Sequence, residues 1–286
     1  MTRAAARLGI AQPPLSAQIK ALEAEIGAPL FVRHPRGVEL TAGGRVLLDS
    51  ARAILTSAAR AKTEVMRSAE GIEGRVCVGF TTSVAAHRLA TDVIRAYRRK
   101  YPHVALDLRE SNAADLTDMT ARGEMHVAFL RIPVAQPPGF VFERLLDEEV
   151  LLVLPRDHAL LKGRKRAAPS RISLRRLADA AFILVRRPGA PGMYADLLAA
   201  CRRAGFTPHI AAEVEHMLTN INLVAAGIGV SVVPASMRGF RADSVAYCRL
   251  SDASGLHAPI TLVHLADARN PAAMNFITLA RSLARR

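Results

Sequence analysis

Gln12, Pro13, Ser16, Gln18 and Lys20 crowd one short segment near the N-terminus. A glutamine amide matches the paired donor and acceptor on adenine, and a serine hydroxyl serves either role at a base edge. Lys20, with Pro13 and the downstream Arg33 and Arg36, suits the sugar–phosphate backbone, where contacts fix register without reading sequence. A second set of residues suits a small anion. Thr81-Thr82-Ser83, Ser111-Asn112-Ala113, Arg131 and Arg186-Arg187 each follow an apolar run. Hydroxyls and free N–H groups at helix starts hold carboxylates, and a guanidinium adds a charge-assisted bond.

The elements that must position the first set are short and well punctuated. Thr2 to Leu8 is an alanine-rich helical stretch, and Gly9 supplies a positive-φ turn after it. A second helix begins between Gln12 and Pro14, where the prolines need no backbone N–H. Leu15, Ile19 and Leu22 form its inward stripe, which leaves Ser16, Gln18 and Lys20 for a major groove. Gly27 to Pro29 ends the helix. Leu30 to Arg33 and Val38 to Leu40 then flank His34-Pro35-Arg36-Gly37, which reads as a hairpin, or wing, beside the helix-turn-helix. A solvated turn is the other reading of that tetrapeptide.

This segment resembles the DNA-binding head of the LysR-type transcriptional regulators, in the branch of aromatic-compound catabolism. The residues that carry the resemblance are Ala4-Ala5, Leu8, Gln12-Pro13, Leu15-Ser16, Gln18-Ile19, Leu22-Glu23, Gly27, Leu30-Phe31, Arg33, Leu40-Thr41 and Gly43-Gly44. It continues at lower density along the chain. Family members carry about another helix ahead of the position of Met1. A head that begins at Met1 is therefore expected to expose Ala5, Leu8, Ile19 and Leu22 and to bind DNA weakly, because so small a core is marginal. A start codon assigned too late accounts for the same observation.

Beyond the head, a helix runs from Thr41 to about Ala69. Leu47, Ala51, Ile54, Ala58, Ala61 and Val65 recur at spacings of three and four, a heptad seam. As in the family, it reads as a dimerising linker; packing on its own chain is the alternative. Gly71 to Gly74 breaks it. Strand patterns then alternate with helix patterns: 76–80, 84–100, 104–109, 113–122, 127–130, 141–146 and 150–154. A second set covers 182–185, 193–204, 210–214, 216–226, 230–233, 245–250, 260–265 and a helix from Pro271. Such alternation predicts mostly parallel sheets. The expected class is α/β: a winged helix-turn-helix (1–45), a linker helix (46–72) and a two-lobed, periplasmic-binding-protein-like effector domain (73–286). Lobe I takes about 73–147 and 255–286, and lobe II about 148–254.

Ligands of such folds sit between lobes, at strand C-termini and helix N-termini. Thr82 and Ser83 serve equally as helix caps or as ligand contacts, and the resemblance favours Ser83 as an effector contact. Asn112 and Ala113 hold the matching place after the second strand. Related regulators often carry a hydroxyl residue where Ala113 stands, so a muconate-like effector is not indicated. Arg131 fits either an acid or a structural salt bridge. The resemblance also implies cleft-lining roles for Pro191 and Met193. His126 stands where the family usually has Asp.

Composition bounds the rest. The charge is +14 and the pI about 10.8, which suits a polyanion partner. Residues 1–45 hold six basic residues against three acidic ones, so most of the excess lies further on, at 95–100, 162–166 and 171–176. Cys77, Cys201 and Cys248 have no disulfide or zinc spacing and read as buried thiols. The histidines lack ligand spacing, Gly227-Ile228-Gly229 is a helix cap rather than a nucleotide loop, and no nucleophile elbow surrounds Ser83. An enzyme, a metal and a cofactor are not expected. There is no signal peptide and no membrane-length apolar run, so a cytoplasmic protein is expected.

The resemblance implies a transcriptional regulator that binds double-stranded promoter DNA as a dimer through the linker helix and as a homotetramer. A small, anionic effector would close the cleft, rotate the lobes and change the spacing of the heads. A solute-binding protein would leave Thr2 to Gly43 without a role. An effector domain that pairs with full-length regulators without binding DNA is the third reading.

Overall fold

The computed structural model describes residues 1–35, 37–131, 136–162, 171–185, 193–251 and 255–285. Two compact units divide the chain, Met1–Met66 and Arg67–Arg286. In the first, α1 (Thr2–Leu8), α2 (Gln12–Ile26), β1 (Phe31–His34) and β2 (Gly37–Leu40) precede the long α3 (Ala42–Ala69). Gly9 ends α1 at φ 68° and Gly27 ends α2 at φ 73°, a left-handed turn that lacks steric cost only without a Cβ. Glu23 Oε1 accepts the N–H groups of Leu30 (2.8 Å) and Phe31 (3.1 Å), which fastens β1 to α2. The Thr41 hydroxyl accepts the Gly44 N–H at 2.9 Å and donates to the Pro29 carbonyl at 2.8 Å, so one side chain caps α3 and holds the approach to β1.

The core of this unit is small: Ala5, Leu15 and Leu30 are buried. The stripe expected to point inward is graded instead. Leu15 is buried, Ile19 half-buried, and Leu22 41% exposed. Length accounts for this: α1 has 7 residues, about 10 Å of helix, against about 22 Å for the 15 residues of α2. On α3, Ile54 and Val65 are 67% and 69% exposed, so their part of the seam is open within this chain.

The second unit opens with β3 (Glu73–Phe80), α4 (Thr82–Ala85), α5 (Arg88–Lys100), β4 (His103–Glu110), α6 (Ala113–Ala121), β5 (Val127–Leu130) and β6 (Phe140–Glu148). The chain then crosses to β7 (Val150–Pro155), β8 (Arg171–Ile172), β9 (Ala181–Val185), α7 (Met193–Arg203), β10 (His209–Val214), α8 (Met217–Ala225), β11 (Ser231–Pro234) and β12 (Val245–Leu250). It returns through β13 (Ala258–Leu265) and ends in α9 (Pro271–Ala284). The first sheet has the order β4-β3-β5-β13-β6, with α5 and α9 over one face and α6 over the other. In the second lobe, β11-β7-β12-β8 form one sheet and β10-β9 pair beside it through Phe182 and Val230.

Two expectations are corrected. The sheets are mixed rather than mostly parallel: β3 pairs in parallel with β4 and β5, but β13 runs antiparallel to β5 and β6, and β7 to β11 and β12. The reason is the double crossover: β6 leaves the first lobe and β13 re-enters it beside β6, so the two must run opposite ways. The helix expected over 84–100 is two. It breaks at His87, whose Nδ1 accepts the Leu89 N–H at 3.1 Å and starts α5 afresh.

Candidate nucleic-acid interface and ligand cleft

In the head, the turn between α1 and α2 is closed by the Ile10 N–H on the Ala5 carbonyl at 3.1 Å. Thr2 Oγ1 donates to Gln12 Oε1 at 2.9 Å, which joins the first residues of the two helices and leaves the Gln12 amide N–H₂ outward. Gln12, Pro13, Gln18 and Lys20 are exposed along α2, and Arg33 is exposed on β1. Ser16 departs from the expected polar stripe: it is half-buried beside the buried Leu15, because adjacent helical residues lie only about 100° apart. The β1–β2 register sets Arg33 opposite Val38, which gives the hairpin read from the sequence; Arg36 lies outside the described residues.

In the second unit the candidate ligand residues follow the C-terminal ends of β3, β4 and β5, which are neighbours in the first sheet. Thr81 N–H binds the Phe129 carbonyl and Ser111 N–H the Phe80 carbonyl, each at 3.2 Å, so the three chain exits stay side by side. Thr82 is half-buried and its hydroxyl donates to Glu110 at the end of β4. Ser83 is 6% exposed. Asn112 caps α6: its Oδ1 accepts the Asp115 N–H at 3.0 Å and its Nδ2 donates to the Asp115 carboxylate at 2.7 Å. Ser111 Oγ donates to the same carboxylate at 3.0 Å. Ala113 follows, half-buried, with no hydroxyl to offer. Thr81 Oγ1 is buried and has no hydrogen-bond partner among the described residues.

Arg131, 5% exposed, lies just past β5 and is the hub of this region. Its Nη2 donates to the Ser83 carbonyl at 2.7 Å and to Ser236 Oγ at 3.2 Å. Its Nη1 donates to the Ala258 carbonyl at 3.0 Å, and its Nε meets Ser83 Oγ at 3.4 Å. Nη1 also lies 2.7 Å from Glu148 Oε2 in a buried ion pair. Burial pulls this guanidinium below its ordinary pKa, and Glu148 opposes that shift. Of the two readings open for Arg131, the salt bridge is formed. Glu148 also accepts the Ser236 N–H. Burial holds the nearby half-buried His87 below the usual imidazole value, and Glu148 again acts against it.

From the second lobe, Met193 begins α7, half-buried. It lines a small cavity of about 20 Å³ with Ile183, Val185, Tyr194, Met217 and Ser231. Pro191, Arg186 and Arg187 lie outside the described residues. The three cysteines are buried and form no disulfide among the described residues, and burial pushes the Cys201 thiol up to about 11. The sequence reading missed Glu148, Ser236 and the Ala258 carbonyl; the only local signal was the acidic run Asp147-Glu148-Glu149 between two apolar strands. No described helix is long and apolar enough to cross a membrane.

Comparison with known proteins bears on the family and the fold. Residues 1–45 match the family model "Bacterial regulatory helix-turn-helix protein, lysR family", and residues 69–285 match "LysR substrate binding domain". The chain is 36% identical over 253 residues to the HTH-type transcriptional regulator BudR of Raoultella terrigena, covering 88% of this chain and 85% of that one. It is 33% identical over 278 residues to the regulator AlsR of Bacillus subtilis, covering 97% and 89%. Among solved structures, full-length CbnR complexed with its target DNA superposes with a TM-score of 0.81 at 27% identity, over 99% of this chain and 93% of that one.

Proposed function

Because the chain belongs to the LysR family of bacterial transcriptional regulators, DNA-binding proteins with an effector-binding domain rather than enzymes, we propose that it senses a small carboxylate in the cleft of its second unit and reports it to promoter DNA. The observation that carries the carboxylate reading is Ser83. Its hydroxyl is buried at the cleft edge, its oxygen already faces Arg131, and its own hydrogen has no acceptor among the described residues. A carboxylate oxygen is the acceptor that hydrogen lacks. Thr82, Asn112 and Ala113 border the same seat from the first lobe, and Met193, with Pro191, from the second.

On the DNA side, Gln12, Ser16 and Gln18 read base edges, while Pro13, Lys20, Arg33 and Arg36 meet the backbone. The exposed seam of α3 pairs two chains, which puts two heads on successive half-sites, and two dimers make a tetramer. The effector favours one lobe arrangement, and the heads follow by population shift. The protein works where promoter DNA is, in the cytoplasm.

The test is calorimetry with small aromatic and dicarboxylic acids. An acid that binds the wild-type chain should bind Ser83→Ala about tenfold more weakly, the loss of one buried hydrogen bond. Equal affinity in the two proteins sinks the Ser83 seat.

A further inference from the structure

We propose that Arg131 is a positioning residue: it couples the effector seat at Ser83 to the second lobe and makes no bond to the effector itself. The inference rests on the carboxylate reading above for what occupies Ser83. A guanidinium has five N–H groups and no acceptor. Five oxygens of this chain already surround it: Ser83 Oγ, the Ser83 carbonyl, the Ala258 carbonyl, Ser236 Oγ and Glu148 Oε2. An effector carboxylate on Arg131 would have to displace one of them. Displacing Glu148, whose side chain is 8% exposed, would strand a buried carboxylate, an outcome the low-dielectric interior penalises heavily.

The five partners belong to three places that must move relative to one another when the lobes turn. Ser83 stands on α4 of the first lobe. Ala258 begins β13, on the returning crossover, and Glu148 ends β6, on the outgoing one. Ser236 lies in the short 3₁₀ turn Ala235–Met237 of the second lobe, and its N–H is held by the same Glu148. The longest of the five contacts, 3.4 Å, is the one to the Ser83 hydroxyl oxygen. When that hydroxyl donates to an effector, its oxygen becomes a stronger acceptor, because hydrogen bonds in a chain polarise one another. The Nε contact then shortens. The rigid guanidinium plane carries that adjustment to Ser236 and to both crossovers.

The experiment uses the full chain and two probes, benzoate and succinate, with three readouts: acid affinity by calorimetry, the DNase footprint on promoter DNA, and hydrogen exchange at the Ser236 amide. Ser236→Ala removes one of the five partners and leaves the ion pair intact. It should keep acid affinity within threefold of wild type and the melting temperature close to it, yet lose the acid-dependent change in footprint. Arg131→Gln strands the buried Glu148 carboxylate and should lower the melting temperature, yet it should keep acid affinity within threefold, lose the same footprint change and speed exchange at the Ser236 amide at least tenfold. A structural role alone would lower the melting temperature and acid affinity together. A tenfold or greater loss of acid affinity in Ser236→Ala, or an undiminished footprint response in it, overturns the inference. If neither probe binds the wild-type chain, the carboxylate reading loses its support, and exchange in the acid-free proteins decides the coupling. Unchanged protection at Ser236 in Arg131→Gln then overturns it.

Discussion

The His126 imidazole accepts the backbone N–H of Cys77 on its Nδ1 at 2.9 Å, tying the start of β5 to the middle of β3. Its Nε2 lies 3.1 Å from Nδ2 of Asn270, whose Oδ1 caps α9 and whose Nδ2 also donates to the Arg75 carbonyl. A neutral imidazole has one acceptor nitrogen, so it serves only one of the two N–H groups that face it. The residue at this position has to accept, which accounts for the aspartate that the family resemblance implies there.

The same contact gives the protein an acid limit. Burial lowers the His126 pKa below its ordinary value, so the folded state holds the ring neutral. A depressed folded pKa contributes stability that is complete above the unfolded value, about 6.5, and is lost as pH falls through the folded one. His87 and His158 are lowered as well and act in the same direction. The urea midpoint should therefore drop between pH 7.5 and 5.5. His126→Asp supplies two acceptor oxygens and should shrink that drop. An unchanged drop in the variant would remove His126 from the account.

Gln18 and Lys20 should fail differently on DNA. Gln18→Ala is expected to cost about 1–3 kcal/mol on the operator and to relax discrimination at one base pair. Lys20→Ala should weaken all sequences alike and reduce the salt dependence of binding by about one phosphate contact. Titrations against operator and scrambled duplex at two salt concentrations separate the two. Uniform loss for Gln18→Ala would show that it does not read a base.

Gly44, in the first turn of α3, lies against Leu30, the residue just before β1. A Cβ there would fall on the Leu30 carbonyl oxygen, a backbone atom that cannot turn aside. Gly44→Ala should loosen the head by several kcal/mol, at the upper end for an overpacked site, and leave the second unit folded. Gly43, where a Cβ meets nothing closer than Thr41 Oγ1 at 3.8 Å, is the control. Equal melting of the two variants would refute the close approach.

Asn220 is buried on α8, and its amide oxygen has no hydrogen-bond partner among the described residues. Its orientation is fixed: Ser231 spends its one proton on the Ile183 carbonyl at 2.7 Å, so Asn220 has to present Nδ2 to Ser231 Oγ, at 2.8 Å. Asn220→Leu removes the stranded acceptor while keeping the volume, and should destabilise less than Asn220→Ala, which also leaves a cavity; a stranded polar atom and a small void each cost roughly 1–3 kcal/mol. Denaturant midpoints of the two variants in the opposite order would argue that the amide oxygen is satisfied in solution.

The sequence by itself determined what is local. Gly9 and Gly27 marked two helix ends because only glycine takes their left-handed turn without cost. Apolar runs located β5 and β12 to the residue and most other strands to within two or three residues, because period and punctuation are properties of adjacent residues. The strand-to-helix hydroxyls at Thr82 and Ser83 were readable for the same reason, whereas the cap that Asn112 makes on α6 came only with the structure. Tertiary structure alone decided strand direction, since an apolar run looks the same read along β5 or against it in β13. It also decided what Arg131 does. Its partners Ser83, Ser236 and Ala258 lie 48, 105 and 127 residues away in sequence, and a guanidinium's role is set by which oxygens surround it once water has been excluded.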